Sequence, residues 1–323
     1  MKIVKTIILC STLLLFNSCQ NSKTENEKIP GIILENMDTS VDPKDDFYNY
    51  VNGNWMKTNT IPDDESRWGG FGVLRKTTRQ DVLEIIKTAQ INDNYKEGSD
   101  QKKALLIFET KLDTIARNKA GIKPIQHLLD AIEAITNIDE LQTVYATITG
   151  ISAPFAGIGA NPDLNDSSVN TAWVFPGGLG LQRDYYIDQD DKTKDIRKDY
   201  LKHVSKMFQF IGYNATDADN AAILVLDLET KLAEPRLDKV QSRDIRNFNN
   251  PMTIDELESL TPSMNWNKLV LDLGIKKSLD QVLVMQPKYM EELNNVLENT
   301  SINDLKTLMK WSTIDNSANY LTT

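Results

Sequence analysis

Two histidines, His127 and His203, hold all the imidazole chemistry of the chain. His127 is followed by Leu128 and His203 by Val204. Neither therefore opens an H-E-x-x-H helix, the arrangement that presents two zinc ligands and a general base on one face. The two lie 203 − 127 = 76 positions apart, so no single helix pairs them as ligands. Each reads as a surface or helix-packing residue. Cysteine adds nothing to the main body of the chain: Cys10 and Cys19 are the only two, and both sit near the N-terminus. That excludes a thiol nucleophile, a Cys-based zinc site and a disulfide beyond the leader. By residue type and spacing, the chain offers no catalytic set and no metal site of its own.

The cationic residues are more informative. Arg67, Phe71 and Arg75 are spaced i, i+4, i+8, so a helix through them would carry all three on one face. The two arginine Cα atoms would then be ~12 Å apart at the helical rise per residue. A guanidinium grips a carboxylate with two parallel hydrogen bonds, which lysine cannot copy. By themselves these residues read as a solvated charged face, or as an ion pair with Asp63, Asp64 or Glu65, before they read as a ligand site.

The start of the chain reads as a targeting segment. Lys2 and Lys5 precede an apolar run from Ile7 to Phe16, too short to span a bilayer comfortably. Leu15-Phe16-Asn17-Ser18-Cys19 resembles a bacterial lipobox, with cleavage before Cys19 and lipid attached to it. Residues 1–18 are thus expected to be a lipoprotein signal peptide. The polar stretch 19–31 then serves as a flexible tether, and a folded domain occupies 32–323. The expected location is the periplasmic or outer-membrane surface of a bacterium, held there by the lipid. Gln20, rather than Asp, after Cys19 resembles outer-membrane sorting.

The remaining composition is that of a globular protein, with 40% hydrophobic and 25% charged residues among 323. A formal charge of −10 and the absence of a basic run beyond the leader argue against nucleic acid as a partner. Apolar spacing predicts a mainly α fold, with helices near 66–88, 99–119, 124–135, 138–149, 191–211, 216–233, 253–260, 278–297 and 301–314. Ser66 is placed to cap the first of these, although Gly69, Gly70 and Gly72 weaken its early turns. Thr253 with Glu256, and Thr216 with Asp219, have capping-box spacing. Residues 154–186 are rich in Gly, Pro, Asn and Asp and read as one small hairpin around 161–166, then an irregular loop. A break between subdomains fits near 236–250.

Several motifs, in order along the chain, carry a resemblance. Asn36-Met37-Asp38-Thr39-Ser40-Val41, Asp45-Asp46-Phe47-Tyr48 and Val51-Asn52-Gly53-Asn54-Trp55 lead to Ser66-Arg67-Trp68-Gly69, Phe71 and Leu74-Arg75. Gly178-Leu179-Gly180-Leu181 and Arg183-Asp184-Tyr185-Tyr186 follow, with Gln182 where proline is usual. Then come Glu229, Leu232 and Ala233, next Arg243-Asp244, and Asn250-Pro251-Met252-Thr253 with Asn249 in place of tyrosine. Trp266 and the stretch from Leu305 to Leu321 complete the series. Together they resemble the N-terminal region of the neprilysin and endothelin-converting-enzyme family of zinc metallopeptidases.

The resemblance implies a fold and a role. Members cleave oligopeptides with a His2Glu zinc site, whose motifs lie beyond the matched region. This chain would form the helical part that caps the cleft, and alone it is expected to bind no zinc and cut no peptide. Arg67 and Arg75 match two arginines that line the family's substrate cleft, which makes them the candidate substrate-binding residues. By residue type, Arg183-Asp184-Tyr185-Tyr186 reads as a structural loop lock, a local ion pair with two buried rings, and Trp55, Trp266 and Trp311 read as core or interface aromatics. The alternative is a non-catalytic lipoprotein that binds a peptide or another partner.

Overall fold

The computed structural model describes residues 31–322 apart from 93, 153, 277 and 278. The leader, Cys19 and nearly all of the proposed tether lie outside the described residues. The described chain is mainly α, as its apolar spacing predicts. Its packing separates a unit ending at Leu105 from a unit beginning at Leu106, and not near 236–250. No helix among the described residues is long and apolar enough to cross a membrane.

In the first unit, helix α1 (Phe47–Thr58) starts where Asp46 accepts a hydrogen bond from the Asn49 amide. The Asn36–Val41 segment is pinned to it. The Asp38 amide donates to the Tyr50 carbonyl at 2.9 Å, and Asn54 Nδ2 donates to the Met37 carbonyl at 2.7 Å. Lys57 Nζ reaches Asp38 at 2.5 Å. Gly53 permits this approach, because a Cβ there would lie 2.7 Å from Asp38 Cβ. Helix α2 (Gly70–Asn92) buries none of its residues. Helix α3 (Asp100–Leu112) carries the boundary between the units.

The expected helix over 66–88 is displaced by four residues at each end, and Ser66 does not cap it. Glycines at 69, 70 and 72 disfavour helix, and the Trp68 ring folds onto the first turn. A Cβ at Gly72 would lie 2.8 Å from that ring. Arg67 therefore precedes the helix, so it does not share a helical face with Phe71 and Arg75.

The second unit opens with the end of α3, followed by α4 (Thr114–Ala120), which is separated from α3 by Asp113, whose side chain accepts from the Ala116 amide. The helix expected over 99–119 is thus two. Next come α5 (Gln126–Glu133) and α6 (Ile138–Thr147), then strands β1 (Ala156–Pro162) and β2 (Asn170–Pro176). A short helix α7 (Arg183–Ile187) leads to the long hairpin of α8 (Asp191–Phe210) and α9 (Ala215–Ala233). Asn214, and not Thr216, caps α9. The remainder is β3 (Pro251–Met252), α10 (Ile254–Leu260), α11 (Trp266–Asp272), β4 (Val282–Val284), α12 (Pro287–Asn299) and α13 (Ile302–Ser317). The predicted Thr253–Glu256 capping box forms at the start of α10.

The hairpin belongs to a four-stranded sheet of order β1-β2-β4-β3. β1 and β2 are antiparallel, with Ala156 opposite Pro176 and Pro162 opposite Asn170. β2 runs parallel to β4, pairing Ala172 with Val282. All three β4 residues are buried. This accounts for the failed helix expectation over 278–297: Val282-Leu283-Val284 is a central strand, and Pro287 opens the helix that follows.

Helix α9 is the centre of the core. It buries Ala221, Ala222, Val225, Leu228 and Leu232 and packs on α7, α8, α12 and α13. Each fully buried Val or Leu contributes ~1.5–3 kcal/mol relative to exposure. Trp266 and Trp311 are core residues, whereas Trp55 is half-buried.

Candidate functional site

Arg75 lies on α2, and its Nη2 is 2.9 Å from both carboxylate oxygens of Glu65. Glu65 is held in reach by the turn before it, where its amide donates to the Pro62 carbonyl. Arg75 thus has a resident counter-ion, one of the three acidic residues that its sequence neighbourhood offered. Arg67 is exposed in the extended stretch leading into α2 and makes no hydrogen bond or ion pair among the described residues. Beside it, the Trp68 ring takes the Lys76 ammonium at 5.8 Å from its centroid. The structure brings Arg75 and Glu65 together and leaves Arg67 open to solvent.

The Gly-rich stretch and the Arg183–Tyr186 motif meet at a second polar centre. Glu229, on the buried side of α9, is 3% exposed. Its Oε1 accepts the Gly180 amide at 2.9 Å, while Oε2 accepts the Tyr186 hydroxyl at 2.9 Å and the Tyr200 hydroxyl at 2.5 Å. The Trp311 indole is a fourth donor. The Tyr186 oxygen in turn accepts the Leu181 amide at 2.8 Å. No cation pairs with Glu229 among the described residues. Burial pushes its carboxyl above the ordinary glutamate value, against the pull of the four donors. Burial raises the Tyr186 and Tyr200 hydroxyls as well, with the Glu229 charge acting in the same direction.

Arg183 Nε donates to the Arg236 carbonyl at 2.8 Å, and its guanidinium is 3.5 Å from Asp184. Arg236 Nη2 donates to the Gly177 carbonyl at 2.8 Å, with the guanidinium 4.9 Å from the centre of the Tyr289 ring. Tyr289 donates to the Phe155 carbonyl. Gly177 lies against the chain before β1: a Cβ there would be 2.2 Å from the Pro154 carbonyl carbon. The expected local ion pair is present, but only one of the two rings is buried. Tyr186 reaches Glu229, and Tyr185 stays half-buried. Among the described residues, this centre pairs its carboxylate only with amide, phenol and indole donors. It is a junction tying the segment before α7 to α8, α9 and α13. Sequence reasoning passed over Glu229 as a functional residue. The signal was a carboxylate on the apolar face of α9, one turn after Val225 and one before Leu232 and Ala233.

The histidines do not meet. His127 is exposed on α5, and His203 is exposed on α8 with its ring edge-on to Trp311 at 5.8 Å between centroids. No group of three or more His, Cys, Asp or Glu side chains among the described residues is placed to hold a metal ion. The donor set here does not fit a His2Glu zinc site, so no step of any reaction is assigned to a metal on these residues.

Comparisons with known proteins bear on what such a chain belongs to. The sequence model for the N-terminal domain of peptidase family M13 matches residues 43–323. Endothelin-converting enzyme 1 of Mus musculus is 26% identical over 302 residues, covering 90% of this chain and 38% of that protein. Neprilysin-3 of Drosophila melanogaster is 27% identical over 282 residues, covering 82% of this chain and 36% of that protein. Among solved structures, the zinc metalloprotease ZMP1 of Mycobacterium tuberculosis, in complex with an inhibitor, superposes with a TM-score of 0.79 at 26% identity. That match covers 90% of this chain and 45% of the other. The chain thus spans less than half the length of each of these proteins. The collinear motifs, the mainly helical fold and a match over most of the sequence agree: the chain belongs to peptidase family M13.

Proposed function

We propose that this chain is the non-catalytic N-terminal part of a zinc metalloendopeptidase acting on oligopeptides. In that reading it caps the substrate cleft, supplies Arg67 as a substrate contact, and cuts no peptide by itself. Zinc belongs to the catalytic part of the whole enzyme, and a lipid on Cys19 holds the protein at an exported membrane surface. The observation that carries the reading is the contrast between the two arginines. Arg75 is neutralised by Glu65, while Arg67 stands in solvent with its guanidinium free for an external carboxylate or carbonyl. Arg75, the second candidate cleft arginine, then acts chiefly by fixing the entrance to α2 through Glu65.

A second feature supports a role inside a larger assembly. Along α2, Phe71, Leu74, Val82 and Ile85 form an exposed apolar stripe, with Phe71 90% accessible. A 23-residue helix with no buried residue needs a covering surface. In the proposed enzyme, the catalytic part provides it.

The test is kinetic. The intact gene product is expected to cleave oligopeptides in a zinc-dependent manner. Arg67→Ala removes a charge-assisted contact of ~1.5–3 kcal/mol, a ~10–150-fold rise in KM on peptides that use it. Arg75→Ala is expected to have a smaller effect. An unchanged KM for Arg67→Ala on every peptide tested removes Arg67 from the site. Peptide cleavage by the present chain alone overturns the non-catalytic reading.

A further inference from the structure

The stretch that leads into α2 is fastened to that helix on both sides of Arg67, while Arg67 itself is not. On the N-terminal side, both carboxylate oxygens of Glu65 accept from Arg75 Nη2 at 2.9 Å, and the Glu65 amide donates to the Pro62 carbonyl at 2.9 Å. On the C-terminal side, the half-buried Trp68 ring lies against the first turn of α2, where a Cβ at Gly72 would come within 2.8 Å of its Cε3. Lys76, one turn further along, holds its ammonium 5.8 Å from the centroid of the same ring. The Val73 amide donates to the Gly69 carbonyl at 3.0 Å, so helical pairing begins directly after Trp68. Ser66 and Arg67, between the two fastenings, make no hydrogen bond or ion pair among the described residues.

The two fastenings differ in strength. The Glu65–Arg75 pair is partly exposed, with 24% and 44% of the side chains accessible, so solvent screens it and it contributes little alone. The ring is the firmer of the two, because it packs a large apolar face on the helix and takes a cation on the other contact. Their partners Gly72, Arg75 and Lys76 lie within about one turn of a single helix, so both ends of the Glu65–Trp68 stretch refer to the same rigid body. An arginine on loose chain must give up backbone freedom when it binds, and an arginine on fixed chain has already done so.

The geometry points to Trp68 as a positioning residue that, seated on Gly72, fixes the backbone at Arg67 so that the guanidinium meets a peptide carboxylate or carbonyl without first ordering the chain beneath it. This rests on the reading of Arg67 as a substrate contact. Gly72 is part of the arrangement, since a side chain there takes the place of the ring.

The experiment compares variants of the intact gene product on peptides that use Arg67. Trp68→Ala is expected to raise KM ~2–10-fold with kcat unchanged, the size of the ordering cost for one mobile side chain and the chain that bears it. Gly72→Ala separates positioning from stability. Alanine favours helix over glycine, so a merely structural role leaves the chain as stable or more so with KM unmoved, whereas displacement of the ring raises KM over the same range. Neither substitution is expected to raise KM further in an Arg67→Ala background. In the present chain alone, 15N relaxation at the Arg67 amide reads the same arrangement without activity, and its order is expected to fall in Trp68→Ala and in Gly72→Ala. An unchanged KM in Arg67→Ala overturns the reading of Arg67, and the positioning role falls with it. Where Arg67→Ala does raise KM, an unchanged KM in both Trp68→Ala and Gly72→Ala, a further rise when either is added to Arg67→Ala, or an Arg67 amide equally ordered in both overturns the role of Trp68 alone.

Discussion

Replacing Gly180 with alanine probes the Glu229 junction where it is tightest. A Cβ on Gly180 would lie 2.0 Å from the Tyr200 hydroxyl oxygen and 2.7 Å from the carbon that bears it. Ordinary contact begins at 3.4 Å, so the oxygen must retreat by about 3.4 − 2.0 = 1.4 Å. Tyr200 is not a loose side chain. It is buried, it meets Trp311 edge-on at 5.7 Å, and its hydroxyl lies 2.5 Å from Glu229. A retreat of that size breaks the hydrogen bond. Overpacking a filled site costs ~1–3 kcal/mol. Removing a donor from a buried carboxylate costs another ~1–3 kcal/mol. The expected loss is therefore ~2–6 kcal/mol, a large part of the ~5–15 kcal/mol that holds a typical domain. Urea unfolding of the parent and of Gly180→Ala measures it. The cause is isolated by adding Tyr200→Phe, which deletes the nearest clashing atom. The double variant is expected to be more stable than the sum of the singles predicts, by at least ~0.5 kcal/mol. A Gly180→Ala chain within ~0.5 kcal/mol of the parent, or strict additivity with Tyr200→Phe, refutes the steric argument.

Three further outcomes are expected. Trp266→Ala removes a fully buried indole whose Nε1 donates to Thr261 Oγ1 at 2.6 Å, so it is expected to cost ~3–5 kcal/mol in urea unfolding. Asp38 is held at about 2, below the ordinary 3.8, mainly by its bond to Lys57 and then by Ser40. Its contribution to the clip on α1 is present above 3.8 and lost as pH falls toward about 2; NMR of the Ser40 amide is expected to report this transition in the parent and not in Asp38→Asn. Phe71→Glu is expected to leave the stability of the isolated chain within ~0.5 kcal/mol while weakening the intact enzyme, because the ring touches solvent here. A large loss in the isolated chain would mean the stripe is already covered.

The sequence carried the helices wherever one strong local signal stood unopposed. Thr253 with Glu256 forms its capping box, and α8, α9 and α13 lie close to their apolar patterns. It misled where local signals competed. Ser66 has the chemistry of a cap, yet the glycines after it delay the helix to Gly70 and leave Arg67 outside. Thr216 with Asp219 fits a box, but Asn214 with Asp217 fits as well, and the chain uses the latter pair. Val282-Leu283-Val284 is too short to distinguish a buried strand from part of a helix, since its identity depends on pairing with β2. Motif resemblance singled out Arg67 and Arg75 as candidates, whereas spacing alone placed them on a shared helical face that does not form, since the helix begins at Gly70. Glu229 was seen only as part of a motif, because its importance comes from donors 29 to 82 positions away in sequence: Tyr200, Tyr186, Gly180 and Trp311.

The parallel pairing of β2 with β4 has a consequence for how the protein is made. Ala172 and Val282 are 282 − 172 = 110 positions apart, and the α8–α9 hairpin lies between them. During synthesis β1 and β2 emerge first and pair locally, while one edge of β2 waits for a partner that has yet to leave the ribosome. Contacts of such long sequence separation are slow to close, and an open strand edge is where a nascent chain pairs with the wrong neighbour. The helical hairpin is local and assembles within that interval. The arrival of three residues, Val282 to Val284, closes that edge and brings β3 into the sheet.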